Sequence, residues 1–178
     1  MLIPGWMNSQ GMYGDSYDVL EVWQKRIAPE EKVETDCLIG HSLGCSWAIL
    51  NWKKYKINKL VLVNPLLPRR SILAWFSKWR EFRKNEAAAR NKTVVGGIKN
   101  IIFGIKTCFR LLAENFDEAL DEIAKENIIV ICGEKDTFYC DEKFKNYVRS
   151  KNIRLLEIKN AGHDWNEKFD REIEKIIS

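Results

Sequence analysis

The chain has 178 residues, enough for one domain that buries roughly 70% of its unfolded surface and so holds a core without disulfide or metal staples. Hydrophobic residues make up 46% and charged residues 30%, which excludes a disordered or fibrous chain. The net charge is +4, but residues 69 to 110 hold eleven Lys or Arg against two Glu, net +9, leaving −5 on the remainder.

The chain opens Met1-Leu2-Ile3-Pro4-Gly5-Trp6, without a basic leader and with its apolar run broken at Pro4-Gly5, so no secretory signal is expected. No apolar stretch approaches the roughly 18 residues of a membrane span. Cys37, Cys45, Cys108, Cys132 and Cys140 are odd in number and lack CxxC spacing, so neither a disulfide framework nor a zinc knuckle is expected. A reducing cytoplasm is the expected compartment.

Leu2-Ile3 reads as the end of a short buried strand, and the polar stretch from Met7 to Asp15 as loop. Val19, Leu20, Trp23 and Ile27 recur at helical spacing, which predicts a helix over 17–27 with Ser16 as N-cap. Asp36 to Gly40 is a short apolar run, and Cys45, Ala48, Ile49 and Trp52 give helical spacing over 43–55. The runs Lys59 to Pro65 and Asn127 to Gly133 have the continuous apolar character of strands buried on both faces, with Ile153 to Ile158 a weaker fourth. Between them, Ile72, Trp75, Phe76, Trp79 and Phe82 form one helical stripe. Val94, Ile98, Ile101, Ile102, Ile105, Phe109 and Leu112 form a second, and residues 116–125 an acidic third helix. Strands alternating with helices predict a three-layer α/β/α sandwich around a mostly parallel sheet. The expected organisation is a single domain over 1–178, with 66–114 a helical cap-like insertion.

The strongest chemical signal is Gly40-His41-Ser42-Leu43-Gly44, a GxSxG between a predicted strand and a predicted helix. A serine at the tip of so tight a turn crowds the positions two before and two after it, and glycine at both relieves that crowding. Leu43 opens the helix, so its N–H and the positive helix end face charge developing beside Ser42. A serine nucleophile needs a base, and the chain has two histidines. His41 adjoins the serine and should point away from it. His163 follows the last predicted strand in a loop, where its side chain can reach back over the sheet edge. A carboxylate must hold that imidazole; Asp136, after the preceding strand, falls in the order Ser, Asp, His, with Glu134 and Asp141 as competitors.

The segments GHSLG, GEKD and AGHD resemble the nucleophile, acid and base segments of the α/β-hydrolase superfamily, and the likeness runs from about residue 35 to the C-terminus. The chain resembles compact serine hydrolases of the retinoblastoma-binding-protein type and small carboxylesterases such as the pimeloyl-ester ones, without a match that transfers a substrate. Members usually carry a His-Gly oxyanion motif after an internal strand, whereas Pro4-Gly5-Trp6 stands at the start here and Pro4 replaces the histidine. In one register Leu2-Ile3 is that strand, the N–H of Trp6 resembles the second oxyanion donor, and the next family strand has been lost between Gly11 and Tyr17. In the other, Leu2-Ile3 is the following strand and one donor is missing, at a cost on the order of 3 kcal/mol in the transition state.

The expected activity is hydrolysis of a carboxylic ester or thioester, a small-molecule substrate, by Ser42, Asp136 and His163. Leu43 and Trp6 serve the oxyanion, no metal or organic cofactor is required, and no nucleic acid partner is expected. The aromatic stripe of the cap suits an acyl pocket, and Arg69, Arg70, Arg80, Arg83 and Lys84 suit an acidic leaving group. The plainer expectation is a core-facing stripe with solvated charges. The alternative function is a non-catalytic binding module whose basic cap contacts an anionic partner.

Overall fold

A computed structural model describes residues 1–23, 35–54, 57–85, 98–136 and 138–177. Its centre is a parallel sheet of five strands in sequential order: β1 (Leu2–Ile3), β2 (Cys37–His41), β3 (Lys59–Val63), β4 (Ile128–Gly133) and β5 (Arg154–Ile158). One row of partners, Leu2, Ile39, Val61, Ile129 and Arg154, crosses the whole sheet.

Successive side chains on a strand face opposite ways, so each apolar run feeds two cores. Leu38, Leu60, Leu62 and Val130 pack on one face beneath α1 (Leu43–Asn51), α4 (Phe116–Asp121) and α5 (Glu142–Ser150). Ile39, Val61, Val63, Ile129 and Ile131 pack on the other, under Tyr13, Tyr17 and the Phe169–Ile173 face of α6 (Glu167–Ile177). Covering both faces is what lets β3 and β4 dispense with polar alternation.

The helical excursion contains α2 (Ile72–Asn85) and α3 (Ile98–Ala113); Val94 of the predicted second stripe lies outside the described residues. Trp75 packs edge-on against Trp6, and Phe82 stacks on Phe138 at 5.1 Å. The Trp6 indole donates to the Gly104 carbonyl of α3 at 3.1 Å. Arg69 and Arg70 brace this segment through hydrogen bonds. Arg69 donates to the carbonyls of Leu112 and Ala113, while Arg70 donates to Asp141 at 2.7 Å and lies over the Tyr139 ring. No described helix is long and apolar enough to cross a membrane.

The expected helix over 17–27 does not form in its described part. Residues 17–23 run as irregular backbone, and Val19 makes a parallel bridge to Leu2; residues 24–27 lie outside the described residues. The reason is the outer edge of β1. Leu2 is fully buried, so its N–H and C=O need partners, and they find the Asp18 carbonyl at 2.8 Å and the Leu20 N–H at 2.9 Å. The outer edge of β1 is thus paired through a single bridge at Val19. The helix after Ser42 stops at Asn51 and tightens into a short turn over Trp52–Lys54, and the acidic helix ends at Asp121.

Candidate active site

Every strand delivers a site residue at its carboxyl end, where ligands gather in parallel sheets. Ser42 follows β2 directly, with φ 53° and ψ −122°, a conformation an L-residue adopts only under constraint. Its neighbours supply that constraint. A Cβ on Gly40 would come within 2.7 Å of the Cys45 backbone, and one on Gly44 within 2.5 Å of the Ile3 and Pro4 carbonyls. The two motif glycines therefore permit different approaches, one of the helix onto its own strand and one of β1 onto the turn. The Ser42 N–H donates to the Val63 carbonyl at 2.9 Å, tying the turn to β3.

Ser42, His163 and Asp136 converge. Ser42 Oγ lies 2.8 Å from His163 Nε2, and His163 Nδ1 lies 2.7 Å from Asp136 Oδ2. The other carboxylate oxygen accepts the N–H groups of Phe138 at 2.7 Å and Tyr139 at 3.3 Å. Burial alone would push the Asp136 pKa up, but the imidazole beside it and these hydrogen bonds hold the carboxyl below its ordinary value. An ionised Asp136 takes the Nδ1 proton as its partner, which leaves Nε2 as the acceptor facing the Ser42 hydroxyl.

The loop bearing His163 is fixed through its backbone. Asn64, fully buried just past β3 with φ 48°, donates to the carbonyls of His163 at 2.7 Å and Gly162 at 3.1 Å and accepts the Gly133 N–H at 2.8 Å. His41 points away from the serine, as expected. Its Nε2 meets the His163 carbonyl at 3.0 Å, and because a carbonyl only accepts, that nitrogen carries the proton. The other nitrogen then accepts from the Tyr13 hydroxyl at 2.8 Å, while that hydroxyl accepts the Gly5 N–H at 2.7 Å. Burial raises the Tyr13 pKa well above the usual phenol range, so it remains a donor. The histidine of the GxSxG turn thereby joins the turn after β1 to the loop after β5.

The rival carboxylates have other work. Glu134 accepts the Asn160 N–H at 2.9 Å, and Asp141 caps α5 by accepting from Phe144 at 3.0 Å. Trp6 and Leu43 both line a cavity of about 60 Å³ over Ser42 and His163, and β1 lies directly beside β2. Trp75, Trp79, Phe82 and Phe138 complete the aromatic wall, so three members of the α2 stripe face the site while Phe76 is 40% exposed and packs on Phe109. Arg83 and Lys84 have side chains outside the described set.

Sequence reasoning missed Tyr13, Asn64 and Phe138. Asn64 carries a readable signal, a polar residue closing an apolar strand run where a left-handed backbone favours Asn. Tyr13 has none, since its partners Gly5 and His41 are fixed only by the fold.

No protein-family model matches the sequence, and no curated protein does. Solved structures do. The chain superposes on the N-formylmaleamic acid deformylase of Pseudomonas putida S16 with TM-score 0.63 and 15% identity, over 97% of this chain and 90% of that one. With carboxylesterase CesB of Bacillus subtilis the TM-score is 0.58 at 15% identity, over 99% of this chain and 82% of that one. Matched to a carboxylesterase of the thaumarchaeon Nitrososphaera gargenis at TM-score 0.48 and 12% identity over 81% of its own length, it spans only 63% of that protein. The sheet, its flanking helices and the likeness to the deformylase and to CesB define the α/β-hydrolase fold.

Proposed function

We propose that this chain is a serine hydrolase that cleaves a carboxylic ester or thioester through an acyl-enzyme on Ser42. The reading is carried by one observation, the continuous hydrogen-bonded path from Ser42 Oγ through His163 to Asp136, with links of 2.8 and 2.7 Å. His163 Nε2 takes the hydroxyl proton as Oγ attacks the carbonyl carbon, and Asp136 stabilises the imidazolium that forms. The N–H groups of Leu43, at the start of α1, and of Trp6 are assigned to the developing oxyanion. The imidazolium then protonates the departing alcohol or thiol. A water enters, loses a proton to His163 and releases the acid, restoring Ser42. Residues 66–114 act as the cap of this site, with α2 supplying its aromatic wall.

The test is covalent labelling by a fluorophosphonate, which reacts with an activated serine. Labelling at Ser42, confirmed by peptide mass and abolished in Ser42→Ala and His163→Ala, is the expected result. An unlabelled wild-type protein that binds anionic vesicles or oligonucleotides in a salt-sensitive way would replace the hydrolase reading with the binding module.

A further inference from the structure

Apolar exposure is concentrated on the helical excursion. Seven large apolar side chains stand in solvent among the described residues, and six of them are on α2 and α3, Ile177 being the exception. Single exposed apolar residues are ordinary, but a cluster of them needs a reason. Leu73 is 83% exposed and Ile102 50%, with Phe76, Ile101, Ile105 and Phe109 at 40% or slightly more.

These six form one surface. Ile101, Ile105 and Phe109 recur every fourth residue along α3 with Ile102 beside them, and Leu73 and Phe76 lie one turn apart on α2. The rings of Phe76 and Phe109 meet at 5.9 Å and join the two helices. The apolar stripe of α3 thus looks outward, while Cys108, Leu111 and Leu112 take the core.

The charge beside this surface is of one sign. Lys106 and Arg110 are exposed one and two turns beyond Ile102, and Arg80 is exposed one turn beyond Phe76. No acidic residue occurs in α3, Glu114 standing just past its end, and Glu81 of α2 pairs with Lys78. A second copy of the chain would set like charge against like. A nucleic acid would match the cations but offer its phosphates to six apolar side chains. An anionic bilayer matches both, with acyl chains for the apolar residues and headgroups for the cations.

We infer that the outer face of α2 and α3 docks on an anionic lipid surface, the apolar side chains entering the headgroup boundary and Arg80, Lys106 and Arg110 lying among the headgroups. The association is peripheral and goes beyond the hydrolase reading without depending on it. It leaves α2 with lipid on one side and, through Trp75, Trp79 and Phe82, the cavity over Ser42 on the other.

The experiment is flotation of the full chain with vesicles of phosphatidylcholine, alone or with about 30% phosphatidylserine, at about 0.1 M and 0.5 M salt. Two variants separate the contributions: Leu73→Gln with Ile102→Gln, and Arg80→Gln with Lys106→Gln and Arg110→Gln. All five positions are exposed, so both variants should keep the wild-type circular dichroism. Wild type should bind the anionic vesicles roughly a hundredfold more tightly than the neutral ones at low salt and lose most of that gain at high salt. The apolar variant should weaken binding to anionic vesicles about tenfold, and the charge variant should remove most of the preference for them. No binding to anionic vesicles, equal binding to both compositions, or binding unchanged in either variant overturns the inference. So does a dimer that forms without vesicle binding and is separated by the apolar variant, or capture of an oligonucleotide in place of vesicles. Ser42 labelling is read separately: vesicle binding without labelling overturns the hydrolase reading and leaves the docking face, and labelling without vesicle binding does the reverse.

Discussion

Asp136 shows how one buried carboxylate serves both stability and the proposed chemistry. Its folded pKa is depressed: burial works against the charge, and His163 with the loop N–H groups outweighs it. A depressed carboxylate stabilises the fold above its unfolded pKa of about 3.9, and that contribution is lost as pH falls through the folded value. Asp136→Asn should therefore be less stable than wild type at neutral pH, by on the order of 2 kcal/mol, with the gap closing below about pH 4. Urea titrations across pH measure it. The same variant favours the wrong imidazole tautomer, so ester kcat should fall by about 10⁴-fold. At this scale the sequence was readable where chemistry is local. Gly40, Ser42 and Gly44 announce the turn through their spacing, and Asp136 and His163 through chain order. Tyr13 and Asn64 were not, because their roles consist of bonds to His41, Gly133 and the His163 loop that only the folded sheet brings near.

Among the elements, β1 meets the GxSxG turn in an exacting contact. Two carbonyls of the β1 segment lie where any Gly44 side chain would go. Gly44→Ala must therefore push Ile3 and Pro4 away, and Trp6 with them. We expect ester turnover to drop a hundredfold or more, as when an oxyanion donor is withdrawn, with near-native circular dichroism. Steady-state kinetics beside the spectrum test this. The strands β2 to β4 could be read from composition because burial on both faces leaves continuous apolar runs, whereas the half-buried edge strand β5 gives a weaker one. Residues 17–23 misled for an instructive reason: their apolar spacing fits a helix, but Leu2 presents a buried edge that must be paired, and the bridge at Val19 prevailed over local periodicity. The third helix was overextended by four residues past Asp121, where the Lys125 ammonium closes the turn on the Leu120 carbonyl at 2.7 Å.

For the molecule as a whole, the basic excess in residues 69–110 is partly structural, since Arg69 ties the start of the helical excursion to the end of α3 and Arg70 ties it to Asp141 and Tyr139. Charge counted along the sequence could not reveal these bonds. The convergence of all five strand ends has a further result. Trp6, Ser42, Asn64, Asp136 and His163 each follow a different strand, so no single strand can peel off and leave a working centre. Catalytic output should behave as a fuse for the architecture: in a denaturant series, the midpoint of inactivation should coincide with that of the far-ultraviolet transition. An earlier inactivation midpoint would mean that the centre comes apart before the sheet does.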